Sequence, residues 1–369
     1  MSEEEVIRVP VDVIRQFMID IFIAQDVREE DAAICADVLI TSDLRGIESH
    51  GVGRLKYYYD RIQAGIQFPR AEMEVVKDTE TTALVDGHHG MGHPTAYRSM
   101  QMAIKKAKTY GMGSVAVRNA THFGIAGYYP LMAADAGMLG FAFTNARPSV
   151  APTFSVEPML GTNPIAFAAP SDMDFPFCYD GATSIAQRGK IEVADRAEKP
   201  VPPTWVIDDE GKPMTDAPAI LEAIPKFKAA LLPMGGAGEA HAGYKGYNLA
   251  TIVEILSVTL SGAAFMKDVL GFNEDGSRRP HMLGHFFMAI DIEHFMPLEA
   301  SKRITGEIMR RLHDAKKAPG HDRIYVAGEK EYEKIAEIWE QGVPVNPNLR
   351  QNLVFLREDL GVDGYEAYF

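Results

Sequence analysis

The chain has 369 residues, of which 46% are hydrophobic and 24% charged. That is the balance of a globular protein too long for a single hydrophobic core. A formal charge of −14, from 37 basic and 51 acidic residues, argues against non-specific binding to nucleic-acid phosphates, although a local basic pocket can still oppose the global sign. Charges interrupt the longest apolar runs before they could span a bilayer. The acidic start MSEEEVIRVP is unlike an export signal, and Cys35 and Cys178 are too few to staple the chain, so a cytoplasmic setting is expected.

In chain order, Val11, Ile14, Met18, Ile21 and Phe22 have helical spacing within 11–25. A second helix is expected from Glu29 to Arg45, opened by acidic residues and stopped by Gly46. A third starts near Gly53, with Leu55, Tyr58, Tyr59 and Ile62 inward, and stops at Gly65. Residues 73–77 and 82–86 read as a strand pair before the loop GHHGMGHP (87–94), and Pro94 opens a helix to about Lys108. Strand-like runs follow at 114–118, 138–144, 164–169 and 176–180. Helical patterns at 247–263 and 298–316 enclose strand-like HFFMAID (285–291). IYVAGE (324–329), a helix at 330–340 and a short terminal helix complete the chain. Irregular alternation of this kind predicts a mixed α/β sheet wrapped by helices; no internal repeat is found.

Familiar nucleotide motifs are absent. Gly111-Met112-Gly113 with Ala116 matches G-x-G-x-x-A, but it joins a helix to a strand, the reverse of the order that aims a helix N-terminus at pyrophosphate. The run Gly235-Gly236-Ala237-Gly238 follows no convincing strand, and no G-K-[ST] exists. His88, His89 and His93 are loosely spaced like metal ligands without acidic or thiol partners nearby in sequence, so they read as surface or structural residues and no metal is expected.

Four stretches carry chemistry. Within Asp43–Arg54, His50 and Arg54 are four apart and predicted to share a helix face. An imidazole beside a guanidinium depresses its charge, yet an anion can bridge the two: Arg54 would grip a carboxylate while His50 exchanges a proton with the neighbouring oxygen, and Ser49 could bond substrate or ring. A capping serine and a surface histidine is the equally weighted alternative for this window alone. Asn119–Gly124, with His122, follows a strand end, where α/β proteins place ligands. Gly161-Thr162-Asn163-Pro164 and Asp180-Gly181-Ala182-Thr183-Ser184 are polar turns able to cradle phosphate, and Asp180 could orient an imidazole. Gly243-Tyr244-Lys245-Gly246 puts a cation at a helix N-terminus.

Taken together, DLRGIESHGVGRL (43–55), THFGIAGYY (121–129), MLGTNPIAFAAP (159–170), DGATS (180–184), GYKGYNLA (243–250) and GHFFMAID (284–291) resemble the malate/L-lactate dehydrogenase family, which also contains sulfolactate, ureidoglycolate and diketogulonate enzymes. The resemblance implies a non-Rossmann mixed sheet, an obligate homodimer, and NAD or NADP as cofactor. It implies a helical domain from 1–70 with 298–369, a small α/β segment at 71–130 and a cofactor-binding mixed-sheet domain at 131–297. It implies acid–base roles for His50 first and His122 second, Asp180 supporting a histidine, and substrate contacts from Ser49, Arg54, Thr162 and Asn163. Cofactor contacts would come from His122, Asn145, Cys178, Asp180, Gly181, Ala182, Thr183, Ser184, Lys245, Gly328 and Glu329.

Two departures from the family pattern stand out, Ala146 where serine is common and the Ala/His character of Gly238-Glu239-Ala240-His241. The expected activity is hydride transfer between a nicotinamide and a small 2-hydroxy or 2-keto acid of malate or lactate type. Reduction of a cyclic imine acid or a diketo sugar acid is the alternative, and a catalytically silent ligand-binding dimer the competing class. NAD is preferred because no basic cluster adjoins 178–184, although Arg188 is close in sequence.

Overall fold

The computed structural model describes residues 6–369. Its centre is a seven-stranded sheet in the order Glu74–Asp78, Thr82–Asp86, Met112–Ala120, Leu283–Asp291, Met138–Thr144, Ile165–Ala169, Phe177–Gly181. Only Thr82–Asp86 and Met112–Ala120 run parallel; every other pairing is antiparallel. That single parallel pair needs a crossover, which the helix Gly92–Tyr110 supplies. Antiparallel pairing dominates, so this sheet is not the doubly wound parallel arrangement of Rossmann folds. Leu283–Asp291 arrives late in the sequence yet occupies the middle of the sheet. It is buried almost throughout, as its unbroken apolar run requires.

One sheet face packs Val115, Val117, Ala142, Ala166 and Phe287 under helices Gly92–Tyr110 and Tyr128–Asp135. The other packs Ala116, Phe143 and Phe286 against Val253 and Leu256 of helix Gly243–Val258. A separate helical core joins the two ends of the chain. Ile14, Phe17, Phe22, Leu39 and Tyr58 pack with Ile338, Leu353, Leu356 and Phe369, and Ile7–Val9 pairs antiparallel with Val343–Val345.

Helix Leu298–His313 does not join that terminal core; its Met309 packs on Phe175 and Val326. Residue 130 marks no break either, because strands on both sides of it share one sheet. A small lobe absent from the sequence-based reading contains helices Arg188–Arg196 and Ala217–Ala223 and the strand pair Val206–Asp208 with Ala229–Leu231. Its core is Val150, Leu160, Ile191, Val206, Ile220 and Leu231.

Most expected elements fall within a few residues of the observed ones. IYVAGE is not a strand: Gly328 caps the helix Glu329–Gln341, and the Glu329 carboxylate folds back to accept the Val326 N–H at 3.0 Å. The terminal helix is longer than expected, Pro347–Leu360, with the Asn346 side chain accepting from the Leu349 N–H. Among the described residues no helix is long and apolar enough to cross a membrane.

Candidate active site

The segment after helix Glu29–Leu44 is where sequence and structure differ most usefully. His50 and Arg54 do not sit on one helix; they end two separate 3₁₀ turns, Glu48–His50 and Val52–Arg54, split at Gly51. The cause is Asp43. Its buried carboxylate accepts the Val52 N–H at 2.8 Å, doing the work of the backbone carbonyl a continuous helix would use. Gly51 lies against that carboxylate so closely that a Cβ there would overlap it. The break turns both side chains into a common cleft.

Ser49 Oγ is 2.8 Å from His50 Nδ1. The Ser49 carbonyl accepts from Arg54 Nε at 2.6 Å, which fixes the guanidinium and leaves its terminal nitrogens for a bidentate anion.

His122 faces the same space. Its ring stacks on His50 with centroids 5.5 Å apart and planes at 21°. Nδ1 of His122 lies 2.7 Å from the Tyr58 hydroxyl and 3.3 Å from the Gly124 N–H. Gly124 has φ +84°, and a Cβ there would press on Val38, so a glycine is needed to bring the amide in. A backbone N–H only donates. Nδ1 is therefore an acceptor, Tyr58 donates to it, and neutral His122 carries its proton on Nε2.

Burial, and then the Arg54 charge, hold the His50 pKa down to about 4. Burial, followed by His50 and Arg54, pushes His122 well below the usual histidine range. Both imidazoles are thus neutral at pH 7 until an anion offsets Arg54.

The cleft has a volume of about 520 Å³, the size of a small-molecule or cofactor site. Ser49, His50, Arg54, His122, Asn145, Thr162, Asp180 and Ala182 line it. Cys178, Gly181, Thr183, Ser184, Lys245, Gly328, Glu329 and Asn163 are not among its walls, and hydrogen bonding explains several of these.

Asn163 is fully buried and donates to the Ala250 carbonyl and the Glu254 carboxylate. The Thr183 N–H is bonded to the Thr162 carbonyl, its hydroxyl to the Thr162 and Asn163 carbonyls, and the Ser184 hydroxyl to the Ala186 carbonyl. These side chains are committed inside the protein. Glu329 is likewise used up by Val326, His313 and Arg323. Asn145 reaches the cleft wall, but its amide is engaged by the Ala264 carbonyl and the Gly284 N–H.

Asp180 lines the cleft without supporting a histidine of this chain. Its Oδ2 accepts the N–H of Gly127 at 2.7 Å, at the start of helix Tyr128–Asp135. Neither imidazole bonds to it; their Nδ1 partners are Ser49, Tyr58 and Gly124. A carboxylate placed at a helix N-terminus finds its partner in the free amides there.

Sequence reasoning missed Tyr58 as more than a core residue, and missed Tyr57, Arg61, Arg147 and His281, all except Tyr58 on the cleft wall. It also missed the apolar hook Ile224, Pro225 and Phe227 from the small lobe. Arg61, at i+7 from Arg54, was the legible signal.

The residues present fit a dinucleotide. Apolar walls from Ile125, Ala126, Pro148, Ile224, Pro225 and Phe227 can pack against heterocycles, beside polar residues at 144–149 and at the start of helix Arg188–Arg196.

Residues 9–354 match the family model of malate/L-lactate dehydrogenase. The chain is 44% identical to a malate dehydrogenase of Pyrococcus horikoshii, covering 98% of both chains. It is 37% identical to an L-sulfolactate dehydrogenase of Methanocaldococcus jannaschii over 95% of this chain and 96% of that one. Its fold superposes on the crystal structure of malate dehydrogenase from Entamoeba histolytica with a TM-score of 0.94 at 44% identity, covering 97% and 99% of the two chains. The chain therefore belongs to the malate/L-lactate dehydrogenase family and is an NAD(P)-dependent oxidoreductase of small hydroxy acids.

Proposed function

We propose that the protein interconverts a malate-type 2-hydroxy acid and its 2-keto acid with NAD, using His50 as the acid–base group. The observation that carries this is the trio Ser49, His50 and Arg54: an anchored guanidinium beside an imidazole that is neutral at pH 7. Arg54 binds the substrate carboxylate through its terminal nitrogens. With its Nδ1 proton donated to Ser49 Oγ, His50 presents a bare Nε2 to the substrate hydroxyl and takes its proton. Nε2–H of His122 donates to the same oxygen and steadies the charge that develops there.

The bound nicotinamide supplies or accepts the hydride. The walls at Ile125–Ala126, Pro148 and Ile224–Phe227, with Asp180 and Ala182 on the cleft lining, are the residues that would hold it. In the reductive direction His50 must be protonated. The incoming carboxylate offsets Arg54 and so raises the pKa of His50 when the proton is needed.

NAD is favoured over NADP by Arg188, the cation on the cleft wall nearest 178–184, which is paired with Glu192 at 2.8 Å and so is not held ready for a 2′-phosphate. A homodimer is supported by the outer face of helix Gly243–Val258, where Ile252 and Ile255 are half exposed, with Leu260 beyond its end. Two free, buried cysteines support a cytoplasmic setting.

The test is an activity matrix of 2-keto acids and cyclic imine acids against NADH and NADPH. Fastest oxidation of NADH by a four-carbon keto diacid is expected. Preference for a cyclic imine acid, or no turnover with any member, overturns the reading.

A further inference from the structure

The cleft is charged unevenly. Besides Arg54, its wall carries Arg61, Arg147, His281 and Arg188, the last paired with Glu192, while its carboxylates are Asp180 and Glu331. Among the described residues no ion pair involves Arg54, Arg61 or Arg147. Arg61 is the unusual one. It is only 7% exposed, it belongs to helix Leu55–Gln63, and among the described residues its Nε has no hydrogen-bond partner. A buried guanidinium is almost always paired, because desolvating the charge costs several kcal/mol that only a counter-charge or hydrogen bonds return. The polar neighbour of Arg61 is Tyr57, but among the described residues no carboxylate pairs with it, so on the wall of a ligand cleft it is placed to receive an anion.

Its position relative to Arg54 gives the anion a shape. Both guanidiniums flank one ring, that of Tyr57, at 6.0 Å for Arg54 and 5.3 Å for Arg61. Their separation therefore cannot exceed the sum of those two distances. Two guanidiniums each holding one carboxylate of an extended four-carbon diacid lie at most about 12 Å apart, counting bond lengths and charge-assisted hydrogen bonds. That upper limit admits a molecule with two anionic ends and a short carbon chain.

We infer that Arg61 is a specificity-determining residue that binds the distal anion of the substrate, a second carboxylate or a sulfonate, while Arg54 holds the carboxylate next to the reacting carbon. The inference rests on the proposed 2-hydroxy acid reaction and goes beyond it by assigning a receptor to the substrate's second charge. Arg147, exposed at the rim, adds to the positive field without being walled in. His281 cannot substitute for Arg61, since its Nδ1 is committed to the Val269 carbonyl at 2.7 Å and burial holds its ring neutral.

The test compares Arg61→Met and Arg61→Lys with the wild type on oxaloacetate and on pyruvate. In Arg61→Met the ratio of kcat/KM for oxaloacetate over pyruvate falls by about 30-fold or more, mainly through KM for oxaloacetate, and Arg61→Lys recovers part of it. A parallel loss on both substrates, tracking a lowered melting temperature, would make Arg61 a purely structural residue and overturn the inference, as would an unchanged ratio. Calorimetric titration of the wild type and both variants with succinate, which has both anions and no reactive oxygen between them, reads the same contact without turnover. Succinate binding that weakens about 30-fold in Arg61→Met supports the inference even if no keto acid is turned over, an outcome that overturns only the proposed reaction. Absence of succinate binding by the wild type overturns the inference.

Discussion

The Gly124 amide and His122 Nδ1 stand 3.3 Å apart, and because an N–H only donates, that contact favours the tautomer with its proton on Nε2. The Tyr58 hydroxyl, 2.7 Å from the same nitrogen, must then donate to it. Tyr58→Phe removes the stronger of the two donors and lets His122 populate the other tautomer. Turnover should fall about tenfold, the kinetic value of one hydrogen bond, with little change in melting temperature. Nitrogen chemical shifts of His122 check it: wild type shows Nε2 protonated, and the variant a mixture.

Arg54 and His50 make a second, electrical pair. Burial and the guanidinium hold the imidazole at about 4, so the basic form needed for oxidation persists over nearly the whole accessible pH range and is lost only as pH falls towards that value. Arg54→Met removes the second of the two causes. The pKa of His50, followed by NMR titration, should rise towards its ordinary value without reaching it, because burial remains. An unchanged pKa would show that the two side chains are not coupled.

Gly51 lets the chain pass the Asp43 carboxylate. Gly51→Ala overpacks that contact and should cost about 1–3 kcal/mol, seen in chemical denaturation. Activity should fall further than stability alone explains, since the displaced turn carries both Ser49 and His50. An alanine that leaves both unchanged would mean that Asp43 swings away freely.

Asp43 itself has a pH signature. Burial raises its carboxyl to about 8, against the single Val52 N–H bond that opposes the rise. The folded state therefore holds a proton that the unfolded chain has released. The stability this contributes is complete below about pH 4, declines as pH rises through about 8, and is flat above. Denaturation midpoints across that window should show the decline, and Asp43→Asn should flatten it.

The sequence made much of the framework legible because its strongest signals are periodic and local. HFFMAID reads as a buried strand at any distance from its neighbours, and the helices around Ile14 and Leu39 announce their inner faces. The order of the strands was not legible, since nothing local says that Leu283–Asp291 inserts between Met112–Ala120 and Met138–Thr144.

At the site, His50, Arg54 and His122 were found by residue type, but the reason given for the first pair was a helix face that Asp43 and Gly51 abolish. The polar turn at 180–184 divides, with Asp180 and Ala182 on the cleft and Thr183 and Ser184 turned inward. Thr183 and Ser184 could serve a phosphate or the backbone, and only the fold shows the backbone taking them. Arg61 was passed over because an arginine in an amphipathic helix looks solvated until its burial is known.

The most direct test of the central claim compares His50→Ala with His122→Ala at saturating NADH and keto acid. The account predicts that His50→Ala loses about 100-fold or more in kcat, as befits a proton-transfer group, and that its pH–rate profile flattens, while His122→Ala keeps the profile's shape and loses less. Wild-type turnover and pH dependence in His50→Ala would contradict it.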